Sequence, residues 1–391
     1  MVNPFQFTRL PLIFFGNGKI SALPGMIKKY GTTIILVTGR SSFLNSDAAG
    51  SLLSEFKENG IKYQSAIIRG EPSPDVIDDI VSRFGGEHVD VVVAIGGGSA
   101  LDSGKAISAM MYKDGSLQDY LEGVGTKEHP GTKITFIAVP TTSGTGSEAT
   151  KNAVISRIGK DGFKRSLRHD NLVPDIALVD PGLTLSCTPE TTAASGMDCF
   201  TQLTEAYLSV KSCEYTDALA YEGLKAIKSS LVRAYLNGQD IEARAGMSFA
   251  ALTSGICLAN AGLGIVHGFA ASIGGMYNIP HGIVCGTLMA SSNEVTVARL
   301  RQKRNNDKAL EKYTLLGRLF LDEKNRSDDY YIDGFIDYLN RLTSELKLPG
   351  LKESGIMESD IREISLITEG KNNPVDLSPE DLTEILYKRF V

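Results

Sequence analysis

The chain has 391 residues, 42% of them hydrophobic, with 40 Lys and Arg against 46 Asp and Glu for a net charge of −6. That length accommodates two domains, each with its own core. The acidic balance, pI ≈ 5.5, lacks the basic footprint that a nucleic-acid partner requires. The opening residues, Met1-Val2-Asn3-Pro4-Phe5, show no basic segment followed by an apolar run, so no signal peptide is expected. The five cysteines, Cys187, Cys199, Cys213, Cys257 and Cys285, are scattered and never spaced C-x-x-C. This is the pattern of reduced thiols in a cytoplasmic protein rather than of disulfides or a zinc ribbon.

In the first half, β-branched apolar runs alternate with amphipathic stretches. Residues 34–38, 90–95 and 134–139 read as buried strands, and residues 63–68 as a weaker one. Between them, residues 48–59 place Leu52, Leu53 and Phe56 at helical spacing, and residues 74–84 do the same with Val76, Ile77, Ile80 and Val81. Continuous apolar strands separated by helices predict a parallel sheet covered on both faces, with ligands beyond the carboxyl ends of its strands.

Three strand ends carry polar loops. The first strand ends in Gly39, Arg40, Ser41 and Ser42. No acidic residue stands there to hold a ribose 2′-hydroxyl, while Arg40 can accommodate a 2′-phosphate, which favours NADP over NAD. Solvation of Arg40 in a loop is the plainer alternative. After residues 90–95 come Gly96, Gly97, Gly98 and Ser99, opening a helix that carries Asp102 and Lys105. Glycines let the backbone approach an anion, and the helix start offers free N–H groups to a phosphate. The pattern is neither G-x-G-x-x-G nor a P-loop, since Ala106 follows Lys105, and a tight strand-to-helix turn fits as well. After residues 134–139, Thr141, Thr142 and Thr145 supply hydroxyls for a ribose or nicotinamide, or for a helix cap.

Past Val179-Asp180-Pro181-Gly182 the strand pattern stops, which divides the chain at 182/183. Helices are expected over residues 188–210, 214–236, 241–257, 263–276, 283–300, 307–320 and 331–346, with a last one opened by Ser378-Pro379. Arg299, Arg301, Lys303 and Arg304 form a basic cluster that reads as a solvated face. Residues 245–293 contain no Asp, Glu, Lys or Arg and are rich in Gly and Ala. Asn260, His267, Asn278 and Pro280 interrupt any run of the ~20 apolar residues a membrane span needs, so these are central helices packed through small residues. His267 and His281 stand in this dry segment and need partners. Asp198 and Gln202, four apart, share a helix face. One carboxylate, two imidazoles and an amide oxygen form an N/O ligand set suited to Fe²⁺ or Zn²⁺. Hydrogen-bonded core histidines are the alternative.

Together these stretches resemble the iron-containing (group III) alcohol dehydrogenase family, of the dehydroquinate synthase-like fold. The matching pieces are Gly96 to Ser99 with Asp102 and Lys105, the loop from Pro140 to Glu148, Val179-Asp180-Pro181, Gly196-Met197-Asp198, and Val266-His267-Gly268 through Asn278-Ile279-Pro280-His281-Gly282. The resemblance implies an α/β Rossmann-like N-terminal domain (1–182) binding NAD(P), and an all-α, metal-binding C-terminal domain (183–391). It implies catalytic Asp198, His267 and His281, with a metal set of Asp198, Gln202, His267 and His281, in which Gln202 occupies a position usually held by His. Asp102 and Lys164 join the cofactor contacts, and a homodimer is implied. Where many relatives carry a further His four residues after His267, this chain has Ala271. The implied reaction is hydride transfer between nicotinamide and a small alcohol or aldehyde, with the metal as Lewis acid. Three alternatives stay open: a metal-independent reductase of the same fold, a nucleotide sensor without chemistry, and a dehydroquinate synthase-type lyase. The charge-free segment lacks the basic residues that the lyase's phosphate-bearing substrate needs.

Overall fold

The apolar runs form the middle of a six-stranded parallel sheet. The computed structural model describes residues 4–40, 42–159, 162–303 and 307–391, of residue 307 the backbone alone. Its strands are β1 (Leu12–Phe15), β2 (Thr33–Gly39), β3 (Lys62–Ile68), β4 (Val91–Gly96), β5 (Thr135–Pro140), β6 (Asn152–Arg157), β7 (Phe163–Arg168) and β8 (Ile176–Val179). The sheet order is β1-β8-β5-β4-β2-β3, with every pairing parallel, and β6 and β7 form a separate antiparallel hairpin. Central β4 is buried along its whole length. Helices α1 (Leu23–Ile27), α2 (Asp47–Glu58), α3 (Pro74–Phe84) and α4 (Gly98–Met110) complete this half, and separate apolar clusters fill its two faces. Thr38 stands opposite Ile95, Ile95 opposite Val139, and Gly96 opposite Pro140. That register brings the loops after β2, β4 and β5 level at one edge.

Four strands lie outside the runs singled out in the sequence. β1 and β8 span four residues each. β7 alternates Lys164, Arg165 and Arg168 with partly buried positions, because one side of the hairpin faces a cleft rather than a core.

After Val179 the described residues contain no strand. The helices are α5 (Pro189–Leu208), α6 (Glu214–Leu236), α7 (Ile241–Ala261), α8 (Ile265–Met276), α9 (His281–Lys303), α10 (Asp307–Phe320), α11 (Asp328–Glu345), α12 (Ile361–Ile367) and α13 (Pro379–Tyr387). The expected starts hold physically: Thr188 caps α5 ahead of Pro189, and Ser378 caps α13 in a reciprocal box with Asp381. Among the described residues no single helix is long and apolar enough to cross a membrane, and α7 and α8 meet at a bend of 96°. Arg304, from the basic cluster, lies outside the described residues. Of the rest of that cluster, Arg299 pairs with Asp381 and Arg301 with Asp329 and Asp333, and Lys303 is exposed.

Backbone meets backbone where the halves join. Gly146, at φ 62°, presses on α7, and a Cβ on Gly255 would stand 2.1 Å from the Gly146 carbonyl oxygen. The same loop is held from below by Lys105. This lysine is fully buried, and its ammonium donates to the carbonyls of Ser147 (3.0 Å), Thr150 (2.9 Å) and Asn152 (2.8 Å). Burial depresses its pKa to about 8, against the opposing pull of Asp102 and Glu148. Lys105 is therefore a scaffold for the loop and does not face a phosphate. Lys105→Met strands three buried carbonyls and should cost roughly 3–5 kcal/mol in urea unfolding; a loss under about 1 kcal/mol would overturn the assignment.

Candidate metal centre and nucleotide cleft

Helix α5 carries Asp198 in its middle, buried on a stretch with hardly an exposed residue. Helix α8 contributes His267 from its first turn, and α9 begins at His281 after the break around Pro280. The sequence separates Asp198 from His281 by 83 positions, yet the helices bring them together. The Asp198 Oδ1 lies 3.4 Å from His267 Nε2 and 3.7 Å from His281 Nε2, and the two rings are 5.4 Å apart between centroids. A fourth donor comes with them. The Cys285 sulfur, one helical turn past His281, is 3.7 Å from each Nε2, and all four donor atoms lie within 4.8 Å of one another.

Gln202 behaves differently. Its amide nitrogen donates to Asp198 Oδ1 at 3.3 Å, and its oxygen accepts from the Ser254 hydroxyl at 2.9 Å. The shared helix face is as expected, and the group turned to the centre is the amide N–H, with the oxygen, the ligating atom of a glutamine, engaged by Ser254.

Glu205, two turns past Asp198, fixes the tautomer of His267. Its carboxylate lies 2.6 Å from His267 Nδ1 and accepts the Val266 backbone N–H at 2.6 Å. A carboxylate on the far nitrogen leaves Nε2 facing the centre, the usual second layer of a metal site. Burial opposes charge on His267, but Cys285, Glu205 and Asp198 outweigh it and hold its pKa well above the ordinary value. Burial and the nearby Lys164 push His281 down to about 3, so it is neutral and ready to coordinate. Burial would raise Asp198, yet His281 and His267 more than offset it and keep it below the usual carboxylate value. The His281 Nδ1 has no hydrogen-bond partner among the described residues.

The centre opens on a cleft of about 1420 Å³, larger than the roughly 300–1,000 Å³ of a single small-ligand pocket. Its far wall is the start of α4, where Gly97 is the N-cap and no side chain caps the helix. A Cβ on Gly98 would meet the Thr145 side chain at 2.7 Å, so only glycine fits under that threonine. Of the expected cofactor residues, Gly97, Gly98, Ser99 and Asp102 line this wall, and Thr142 and Thr145 lie over it. Gly39 and Arg40 line the end of the cleft, and Lys164 its flank. Asp102 is already engaged, accepting from the Ser147 hydroxyl and the Val154 N–H, so it braces the wall. Lys164 pairs with Glu71 at 3.2 Å.

Gly96, Thr141 and Ser42 do not line the cleft. Gly96 makes room for Ala100, whose Cβ would stand 2.6 Å from its own. Thr141 is in the sheet edge, its N–H on the Gly96 carbonyl, and Ser41 lies outside the described residues. Ala271 presents a methyl group to the cleft. Phe269 is core and Tyr277 bonds Asp360, while Phe163 reaches the cleft.

Two family models cover the chain: "Iron-containing alcohol dehydrogenase" matches residues 11–181, and "Fe-containing alcohol dehydrogenase family, C-terminal" matches residues 192–390. The chain belongs to the iron-containing alcohol dehydrogenase family. It is an oxidoreductase acting on CH–OH groups with NAD(P). It is 30% identical to alcohol dehydrogenase 4 of Saccharomyces cerevisiae (strain ATCC 204508 / S288c) over 97% of each chain. It is 29% identical to the NADPH-dependent butanol dehydrogenase of Clostridium saccharobutylicum over 97% of this chain and 96% of the other. The alcohol dehydrogenase from Oenococcus oeni superposes with a TM-score of 0.86 at 28% identity, covering 99% of this chain and 100% of its own.

Cys285 and Glu205 carry the site without having been singled out in the sequence. Both were within reach of helical spacing: Cys285 follows His281 by four residues, and Glu205 follows Asp198 by seven. Glu205→Ala should weaken metal binding roughly 10–100-fold, read by competition with a chelator, and unchanged affinity would reject its role. Because a metal must displace the proton held on His267, affinity should also rise with pH above the ordinary imidazole range of about 6.5. A flat profile in the same titration would contradict that proton assignment.

Proposed function

We propose that Asp198, His267 and His281 hold a divalent cation and that the chain interconverts a small alcohol and its aldehyde, with NADP preferred over NAD. The observation that carries this reading is the convergence of one carboxylate oxygen and two imidazole Nε2 atoms, 3.4 and 3.7 Å apart, in the same cleft as an uncapped helix start. These donors fit a divalent cation: a buried carboxylate, a neutral imidazole on His281, and a His267 imidazole whose Nε2 is turned inward by Glu205 and gives up its proton to a metal. When bound, the cation supplies Lewis-acid polarisation of the substrate C–O bond and the nicotinamide supplies the hydride chemistry. The chain's own residues do the rest. Glu205 keeps His267 Nε2 turned inward, Gly97, Gly98 and Ser99 offer backbone N–H groups to the pyrophosphate, and Thr142 and Thr145 lie toward the nicotinamide. Lys164 flanks the cofactor. Ala271 offers no ionisable group, so protons leave through water or the cofactor ribose rather than through a side chain at that place.

Arg40 supports the NADP preference. It is exposed at the end of β2, lines the cleft, and has no protein partner among the described residues. The butanol dehydrogenase relative is NADPH-dependent. On the Asp198, His267 and His281 donors alone, the same reading carries iron as the metal and zinc as the second choice; it also carries a homodimer and a cytoplasmic setting.

His267→Ala should lower turnover of short aldehydes by about a thousandfold or more, of the order seen when a principal transition-state contact is removed, and leave NADPH binding within about threefold. Retained turnover, or turnover indifferent to chelation in the unaltered protein, would favour the metal-independent reductase. Arg40→Ala should weaken NADPH about tenfold, the worth of one exposed charge-assisted contact, and leave NADH unchanged; equal effects on both would remove the case for NADP.

A further inference from the structure

We infer that Cys285 is the fourth protein ligand of this centre, taking the place that Gln202 leaves open, and that the resulting set of one oxygen, two nitrogens and one sulfur selects Zn²⁺ over Fe²⁺. The inference rests on the metal centre proposed above and concerns which atoms complete it.

Four donor atoms around one ion, at bonds of ~2.0–2.3 Å and near-tetrahedral angles, are separated from each other by ~3.3–3.8 Å. The separations here are 3.4 Å from Asp198 Oδ1 to His267 Nε2, 3.7 Å from the same oxygen to His281 Nε2, and 3.7 Å from the Cys285 sulfur to each of the two nitrogens. The sulfur is therefore placed as a corner of the same polyhedron, as far from His281 Nε2 as the carboxylate oxygen is and 3.7 Å against 3.4 Å from His267 Nε2. Gln202 offers no competing corner, since its oxygen is held by Ser254 and its nitrogen donates to Asp198.

The direction of approach matters as much as the distance. Asp198, His267 and His281 line the cleft, whereas Cys285 does not and is fully buried behind them. A ligand arriving from the closed side leaves the cleft side for substrate, which reconciles four protein donors with a catalytic centre. Sulfur is also the one donor of the four whose softness discriminates between metals: thiolate favours Zn²⁺, while a set of nitrogen and oxygen alone serves Fe²⁺ as well. Coordination replaces the S–H bond by a sulfur–metal bond and releases the proton to solvent, with no change of oxidation state. A cysteine that merely filled the apolar cluster between α8 and α9 would have no reason to keep its sulfur equidistant from two imidazoles.

The test is the full-length protein loaded with Co²⁺. A thiolate ligand adds sulfur-to-cobalt charge-transfer absorption in the near ultraviolet, which nitrogen and oxygen ligands do not. The unaltered protein should show this absorption, Cys285→Ser and Cys285→Ala should lose it while still binding cobalt, and Gln202→Ala should keep it. In competition with a chelator, Cys285→Ala should lose at least tenfold in Zn²⁺ affinity and distinctly less in Fe²⁺ affinity. Bound cobalt without the absorption in the unaltered protein, or the same absorption in Cys285→Ser, overturns the sulfur ligand and leaves the centre standing. Failure of the unaltered protein to bind cobalt at all overturns the centre itself.

Discussion

Asp198 is a carboxylate only 2% exposed, and among the described residues no Lys or Arg pairs with it; what faces it is imidazole. An ion in such a place costs several kcal/mol unless another charge and good hydrogen bonds compensate. Without a cation, compensation falls to a proton on His267, held there by Glu205 and the neighbouring sulfur. With a cation, the imidazoles become ligands and the positive charge sits closer to the oxygen. The surrounding composition follows from this constraint. A stray Lys or Asp from α7, α8 or the start of α9 would compete for the same partners, and residues 245–293 contain none. Small residues do the remaining work, because they let the helices approach closely enough to bring the donors of α5, α8 and α9 together at the cleft wall.

The sheet half meets this centre by register rather than by sequence proximity. Parallel pairing aligns the ends of β2, β4 and β5, so that Arg40, Gly97 and Thr142 share one edge though they are far apart along the chain. Glycine then sets the spacing of the halves. Gly146 against Gly255, and Gly144 against Ser195, allow backbone contacts that any side chain would push apart by ångströms. Lys105 holds the Ser147–Asn152 segment from beneath, so the threonine loop is braced from the sheet side and pressed from the helical side.

This division explains what could be read from the chain. Strands β2, β4 and β5 are legible because both of their faces are buried or nearly so and leave continuous apolar runs, while β3, at the edge and half exposed, shows only a weak one. Strands β1 and β8 are too short to show a period, and the β6–β7 hairpin is amphipathic because it borders a cleft. His267 and His281 are legible because an ionisable group in a charge-free segment needs a reason, and Asp198 because of its motif Gly196-Met197-Asp198 and its four-residue spacing to Gln202. Gln202 shows the limit of spacing: four residues along a helix place a side chain on a face, but not which end of its amide turns inward. Ser254, fifty-two residues on, decides that. Cys285 was hidden by its chemistry, since a buried cysteine is an ordinary small hydrophobe in most cores, and only the positions of two imidazoles distinguish it.

The two histidines are held in unequal ways. His267 is locked at both ends: its Nδ1 is on Glu205 and its backbone carbonyl accepts from the Lys371 ammonium at 2.8 Å. His281 has an Nδ1 without a hydrogen-bond partner among the described residues and opens α9 directly after the break at Pro280. Its ring is oriented by the centre alone. Occupancy of the centre therefore does more than complete a reaction site. It ties the first residue of α9 to α5 and α8, and by mass action the protein gains stability in proportion to how far the free ion exceeds its dissociation constant. The cleft is framed on one side by that same turn of α9, so the ion's affinity, the order of the cleft wall and the stability of the helical half are one linked quantity.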